Sequence, residues 1–193
     1  SNSSAASDVY KRQIFNATPD HWHAPGTWMA LEAGKHVYVE KPLTHNPRES
    51  ELLMHYLKKY PRVVQMGNQQ RSAPESIEII HQIHNGVIGD PYLAVAFYTN
   101  SRGRVENPVA ASPPDGLDWD LFQGPAPHEQ YMDNVFDYNW HWYGWNFGTA
   151  ETGNNATHEL DIARWALQVD YPEEVSVNAG KYHFTDDGWT MYD

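Results

Sequence analysis

Val37-Tyr38-Val39-Glu40-Lys41-Pro42 is a short apolar run that ends in an acid, a cation and a proline. β-Branched and aromatic residues cluster here between Gly34 and Pro42, the pattern of a short buried strand. Upstream, Thr18-Pro-Asp-His-Trp-His23 reads as a turn that feeds a helix over residues 24–33. Trp28, Ala30 and Leu31 would lie on its inner side, with Gly34 as the stop signal. Ile14-Phe-Asn-Ala17 reads as the end of an earlier strand. Downstream, residues 47–59 place Leu52, Leu53, Tyr56 and Leu57 at helical spacing, and Val63-Val-Gln-Met66 is the next strand. This β-α-β-α-β alternation implies parallel strands joined by right-handed crossovers. In an open parallel sheet, ligands sit beyond the carboxyl ends of the strands. Thr18-Pro-Asp-His21 and Glu40-Lys41-Pro42 lie at two such ends, so a loop histidine, an acid and a lysine are expected to face one crevice.

After Met66 the pattern changes. Ala73-Pro74 opens a helix that runs to about Asn85, with Ile77, Ile80, Ile83 and His84 on one face. Residues 92–98 read as a long strand, 102–116 as a loop rich in Pro, Gly, Asn and Ser, and 119–147 as an irregular aromatic stretch. A helix over residues 154–167 and a strand over 174–184 complete the expected elements.

A chain of 193 residues allows one domain or parts of two. Its 40% hydrophobic and 20% charged residues suit a soluble globular protein. No apolar run approaches the ~20 residues of a membrane helix, so no membrane partner is expected. With no cysteine, disulfides and thiolate metal sites are excluded. Eleven histidines invite a metal, and His21 and His23 could chelate from a loop. No H-E-x-x-H or comparable ligand set accompanies them, and no metal is expected. The net charge of −12 repels phosphate backbones and argues against a nucleic-acid partner. It also disfavours anionic substrates, whereas neutral sugars or polyols fit. Eight Trp and twelve Tyr could stack on sugar rings, or fill a core or an oligomer interface.

The ordered series continues with Ala30-Leu-Glu-Ala-Gly34, Gly67-Asn-Gln-Gln-Arg71, and Leu117-Asp-Trp-Asp120 with Gly124-Pro-Ala-Pro127. It closes on His158-Glu-Leu-Asp161 leading into Arg164-Trp165. From about Ile14 to its end the chain resembles the glucose-fructose oxidoreductase / inositol dehydrogenase / MocA (Gfo/Idh/MocA) family of NAD(P)-dependent sugar and polyol oxidoreductases. The resemblance implies an α/β fold. Residues 14–71 would be the C-terminal half of a Rossmann-like parallel-sheet domain, and residues 72–193 an incomplete α+β domain with an open sheet. It further implies NAD or NADP as cofactor, a small-molecule sugar or polyol as substrate, and a homo-oligomer at full length.

Family members begin with a strand, a glycine-rich turn and a helix that hold the dinucleotide pyrophosphate. No G-x-G-x-x-G occurs here, and the three glycines between Gly144 and Gly153 follow an aromatic run at the wrong spacing. Residues 1–13 read as the in-frame translation of a transposase adaptor used in sequencing libraries, or else as a polar natural tail. On the first reading native sequence starts near Ile14, and the remaining charge is −13 once Asp8, Lys11 and Arg12 are removed. Thr185-Asp-Asp-Gly-Trp-Thr-Met-Tyr-Asp193 stops just after an expected strand. The chain is therefore expected to be an internal piece, inactive alone, of a longer cytoplasmic or exported enzyme.

Residues 154, 158, 161 and 165 are spaced by four, three and four, and form one helical stripe of Asn, His, Asp and Trp. A polar triplet beside Ile162 and Ala166 needs partners or a ligand. Imidazole titrates near neutrality and can accept an alcohol proton as hydride leaves; the alternative is a satisfied buried histidine. By the resemblance, His158 is the acid/base on the substrate hydroxyl. Lys41 would contact that hydroxyl and the nicotinamide ribose, its ammonium stabilising a developing alkoxide; alone it would read as a solvated strand end. Asn154 departs from the family, whose dehydrogenases commonly carry an aspartate four residues before the histidine. A carboxylate there would raise the histidine pKa, and Asp161 or Glu159 could substitute for it.

Glu40 is expected near the cofactor ribose, with Pro42 fixing the turn. Thr18, Pro19, Asp20 and His23 would line the cofactor side, Asp20 alternatively capping the next helix. Asn68, Gln69 and Arg71 follow the third strand and face the cleft, Arg71 alternatively pairing with an acid. Trp140, His141, Trp142 and Tyr143 would form a substrate wall or an interface patch. Three functions stand side by side. The first is hydride transfer between a sugar or polyol carbon and nicotinamide. The second, kept open by Asn154, is an NAD-dependent glycosidase acting by transient oxidation and elimination. The third is a non-catalytic sugar-binding or scaffold protein.

Overall fold

The computed structural model describes residues 12–99 and 102–189; residues 1–11 of the adaptor-like segment and 190–193 of the C-terminal stretch lie outside the described residues. Strands β1 (Gln13–Asn16), β2 (His36–Val39) and β3 (Val64–Met66) form one parallel sheet in the order β1-β2-β3. Ile14 pairs with Val37, and Val37 with Val64. Helix α1 (Asp20–Glu32) joins β1 to β2, and α2 (Pro47–Lys59) joins β2 to β3. The rings of Trp28 and Tyr56 stack 5.6 Å apart between the two helices, so both cover the same face of the sheet. Val37 and Val39 alternate toward that face and are buried with Ala30. Tyr38 takes the opposite face, where its ring stacks on Phe15 at 4.9 Å. The α/β class and the open parallel sheet expected from the sequence are present.

Local signals explain α2. Asn46 caps it by accepting from the Glu49 N–H at 3.1 Å, and Pro47 opens the first turn. Glu49 returns a bond to the His45 N–H at 2.6 Å. Helix α1 starts at Asp20, four residues before the expected Ala24, and carries Pro25 inside it. Pro19 supplies a φ of −60° at its N-cap. The extra turn is pinned from outside, because Asp20, His21, Trp22 and His23 all find partners on other segments.

Beyond β3, a 3₁₀ turn (Gln69–Ser72) leads to α3 (Pro74–His84). Short helices α4 (Trp119–Gln123) and α5 (Gly144–Phe147) and a 3₁₀ turn (Asn139–Trp142) interrupt an otherwise irregular segment. It surrounds a second apolar core that includes Val105, Val135, Trp142, Tyr143, Phe147 and Trp189. A π-helical turn (Thr152–Ala156) then enters α6 (Thr157–Leu167), which packs on α3. There His84 Nε2 lies 2.8 Å from Trp165 O.

Two expected strands are not formed: residues 92–98 and 174–184 carry no sheet ladder among the described residues. Tyr92, Leu93, Val95, Phe97, Val175 and Val177 are exposed. Their alternation is that of a strand, but a strand exists only where a neighbour completes its row of N–H and C=O groups.

Candidate active site

The turn after β1 is built on Asn16, a buried residue at the strand end. Its Oδ1 accepts from Thr18 Oγ1 at 2.7 Å and its Nδ2 donates to His23 O at 3.0 Å. His23 is 1% exposed, with Nδ1 2.6 Å from Pro42 O and Nε2 2.7 Å from Thr18 O. It clamps the turn after β1 to the turn after β2. Asp20, 2% exposed, accepts from Thr149 Oγ1 at 2.6 Å. His21 sets Nε2 2.8 Å from Phe122 O and Nδ1 3.3 Å from Phe147 O. Burial pushes its pKa below the ordinary histidine value, against those two carbonyls. The Trp22 indole donates to Phe122 O at 3.0 Å.

This motif therefore fastens the sheet to the aromatic segment. Asp20 and His23, expected to line the cofactor side, are turned inward, because buried polar groups on neighbouring segments need them as partners. Asp20 does not cap either: Pro19 holds the N-cap position and no side chain caps α1. Thr18 is exposed and Pro19 half-buried, both at the rim. The ring nitrogens of His21 and His23 are taken up by carbonyls, and no metal-holding group of three or more His, Asp or Glu occurs among the described residues.

Glu40, Lys41 and Pro42 follow β2 and are half-buried. The Glu40 N–H donates to Asn16 O at 2.9 Å, extending the ladder by one bond. Gly67 follows β3, and a Cβ on it would lie 2.7 Å from Tyr38 Oη and 3.1 Å from Glu40 Oε1. Lys41 Nζ donates to Asn154 Oδ1 at 2.5 Å, and Asn154 Nδ2 donates to Tyr138 Oη at 3.4 Å. Asn154 sits on the π-helical turn, a local widening that often re-aims functional side chains. Gly153 permits that placement, since a Cβ there would overlap Thr149 Oγ1 and press on Pro42.

His158 comes from the first turn of α6 and is buried. Its Nδ1 lies 3.1 Å from Asn68 Oδ1, and its Nε2 3.5 Å from Gln69 Nε2. With the amides in these orientations, Nδ1–H donates to Asn68 and Gln69 donates to the Nε2 lone pair. Burial, and then the Lys41 ammonium, hold the His158 pKa below its ordinary value, against Glu159, Glu40 and Asp161. The imidazole is neutral at pH 7, and its basic nitrogen is Nε2.

Other expected residues are placed differently. Arg71 donates from Nε and Nη2 to the two carboxylate oxygens of Asp161 at 2.7 and 2.8 Å and stacks on Trp165 at 4.7 Å. The pair ties the 3₁₀ turn to α6 and pairs each group with the other. Trp142 stacks on Trp189 at 4.5 Å within the second core, and Tyr143 is buried with its hydroxyl donating to Glu106 O at 3.0 Å. They are core residues, not a wall; large rings bury wherever the chain gives them room. Trp140 stacks on His141 at 3.6 Å. His141 is buried with Nδ1 2.7 Å from Tyr138 O. Its pKa is lowered by burial, which outweighs that carbonyl and Asp20, with Lys41 and Arg102 adding to the effect.

Three residues escaped the sequence reading. Tyr138 reaches Asn154, Arg102 lies over the rings of Tyr138 and Trp142 at 5.8 and 4.4 Å, and Glu151 pairs with Arg102. Tyr138 sits in an aromatic run without periodicity and Arg102 in a loop, so no spacing singles them out.

Residues 9–68 match the family model for the oxidoreductase family with NAD-binding Rossmann fold. That match begins upstream of Ile14, and β1 likewise takes in Gln13. Inositol 2-dehydrogenase 1 of Saccharopolyspora erythraea is 34% identical over 87 residues, covering 45% of this chain and 26% of that protein. Levoglucosan dehydrogenase of Pseudarthrobacter phenanthrenivorans is 28% identical over 151 residues, covering 78% and 32%. The chain thus spans about a quarter to a third of the length of these curated relatives. The aldose–aldose oxidoreductase of Caulobacter crescentus, complexed with glycerol, superposes with a TM-score of 0.60 and 21% identity over 94% of this chain and 44% of that one. A levoglucosan dehydrogenase in complex with NADH and levoglucosan gives 0.53 and 24% identity over 86% and 38%. At these identities the two structures speak for fold alone, and the likeness runs well past the parallel sheet. Residues 9–68, with their parallel β-α-β-α-β order, are thus similar to the NAD-binding domain of the Gfo/Idh/MocA oxidoreductase family.

Proposed function

We propose that this chain supplies the catalytic groups of a nicotinamide-dependent oxidoreductase acting on a hydroxyl of a sugar or polyol. One observation carries the reading: Lys41 Nζ at the end of β2 is 2.5 Å from Asn154, which lies four residues before His158, and the Lys41 charge acts on that imidazole. In this reading residues 14–71 form the dinucleotide side and residues 72–193 the substrate side.

The strand ends fit the nicotinamide and ribose end of the cofactor. Gly67 lets Tyr38 Oη and the Glu40 carboxylate come close to the backbone after β3, and Lys41 offers a cation at the end of β2. Glu40, Lys41, Pro42 and Asn68 would hold that end, with Thr18 and Pro19 at the rim. When bound, NAD or NADP supplies the hydride acceptor or donor.

His158 Nε2 takes the proton of the substrate hydroxyl, moving off its long contact with Gln69. Asn68 keeps the ring in the tautomer that leaves Nε2 basic. Lys41 donates to the oxygen as it gains negative charge. Asn154 holds the ammonium in reserve without cancelling its charge, which a carboxylate at this position would do. The amide is thus compatible with alcohol oxidation, while burial and the Lys41 charge favour the unprotonated His158 that accepts a proton.

The test is nicotinamide reduction by the whole protein with inositols, glucose and simple glucosides. His158→Ala is expected to lower kcat/KM by about 10²–10⁴-fold, and Lys41→Met by a comparable factor. Unchanged turnover in both variants would remove the assignment. Release of free sugar from a glycoside with no net build-up of reduced nicotinamide would establish the NAD-dependent glycosidase instead.

A further inference from the structure

The two ends of the Asn154 amide have different needs. An ammonium can only donate, so the amide oxygen faces Lys41 Nζ, at 2.5 Å. The amide nitrogen is thereby turned the other way, on a buried side chain that needs an acceptor there. Among the described residues it finds Tyr138 Oη, at 3.4 Å.

Tyr138 is itself braced. Its ring lies 4.4 Å from that of His141, and its carbonyl oxygen 2.7 Å from His141 Nδ1. Arg102 stands 5.8 Å from the ring centre and pairs with Glu151. Glu151 directly precedes the π-helical turn and accepts from Asn155 Nδ2. The contacts close a circuit from Glu151 through Arg102 and Tyr138 back to Asn154, and both ends of it belong to the same turn. A phenol held by its ring gives the amide nitrogen a fixed direction, and an amide fixed at its nitrogen is fixed at its oxygen. The Lys41 charge rides on a flexible four-carbon stem, so its place depends on such an anchor.

We infer that Tyr138 is a positioning residue: its hydroxyl orients the Asn154 amide, which in turn holds the Lys41 ammonium beside His158. The inference rests on the reading above for what that ammonium does, not for where it lies.

Imidazole titration of the whole protein, followed by NMR, tests it without turnover. The His158 signal is assigned by its loss in His158→Ala. Glu159, Glu40 and Asp161 also act on this imidazole, and the substitutions leave them in place. Tyr138→Phe keeps the ring and removes only the hydroxyl. An ammonium no longer held spends more time away from the imidazole, so the His158 pKa is expected to rise by about half a pH unit toward its ordinary value. Asn154→Ala should raise it too, and Tyr138→Phe added to Asn154→Ala should change nothing further. A titration that Tyr138→Phe leaves in place overturns the inference, and this comparison does not need Asn154→Ala to fold. An equal shift in the Asn154→Ala background overturns it as well, because Tyr138 then acts by another route. In a protein that reduces nicotinamide, Tyr138→Phe should also lower kcat about fivefold with KM within about twofold, since the ammonium acts on developing charge. Unchanged kcat there counts against the inference in the same way. If the whole protein reduces no nicotinamide, the function proposed above falls, and the titration still decides the role of Tyr138.

Discussion

At position 154 a neutral amide holds a cation beside a buried imidazole. Burial, and then the Lys41 charge, hold the His158 pKa below its ordinary value of 6.5. Proton acceptance needs the unprotonated ring, so the acid limb of kcat/KM is expected below pH 6.5. Asn154→Asp would place a carboxylate on Lys41 and weaken its field at His158. The folded pKa rises, and the acid limb moves up by about one pH unit while the plateau changes little. A limb that stays fixed or moves down would show that the amide does not govern the imidazole. The meeting of Lys41 with Asn154, and the Lys41 charge at His158, follow from places a simple rule points to, a strand end and a helical stripe. Asp20 and His23 were legible as polar but not as inward-facing. The group that turns Asp20 is Thr149, more than a hundred residues away in sequence, and no local pattern encodes such a meeting.

Among the elements, α2 was readable to its ends, since a capping asparagine, a first-turn proline and apolar spacing all agree. The start of α1 was not, because its first turn is held by residues from the aromatic segment rather than by a capping side chain. Segments 92–98 and 174–184 mark a sharper limit, for alternation declares a strand's faces and says nothing of its neighbour. Helix α6 and the 3₁₀ turn after β3 are joined by Arg71 and Asp161, and the same turn region supplies Asn68 to His158. If Asp161 serves only this junction, Asp161→Asn should keep turnover within about threefold, against the far larger loss from His158→Ala. Its stability cost should be at most about 1 kcal/mol, because Arg71 is 41% exposed and water screens the pair. A loss of turnover as large as that of His158→Ala would return Asp161 to the chemistry.

Over the whole molecule, the β-α-β-α-β order fixed the sheet before any contact was known, because only parallel strands tolerate such connections. The way in which the aromatic segment closes on the strand ends was not foreseeable. On the sheet side His21 meets the carbonyls of Phe122 and Phe147, while His141, within the segment, and His158, on α6, are buried as well. All three have folded pKa values held below 6.5, chiefly by burial. In the unfolded chain they regain the ordinary value, so just below pH 6.5 the unfolded state binds more protons than the folded one. Stability then rises with pH through this window and is lost as pH falls through it, by up to about 1.4 kcal/mol per pH unit for each imidazole. Asp187 adds nothing to the loss there. Despite its burial, Lys181 and the N–H groups of Val105 and Trp189 hold its pKa below the usual carboxylate value, and it stays ionised. Melting followed by circular dichroism from about pH 8 to about pH 5 should show a flat Tm above neutrality and a steep fall below pH 6.5. His21→Gln, which cannot take up a proton, should make that fall shallower. A Tm that holds or rises toward pH 5 would mean that these imidazoles do not carry the closure of the aromatic segment on the sheet.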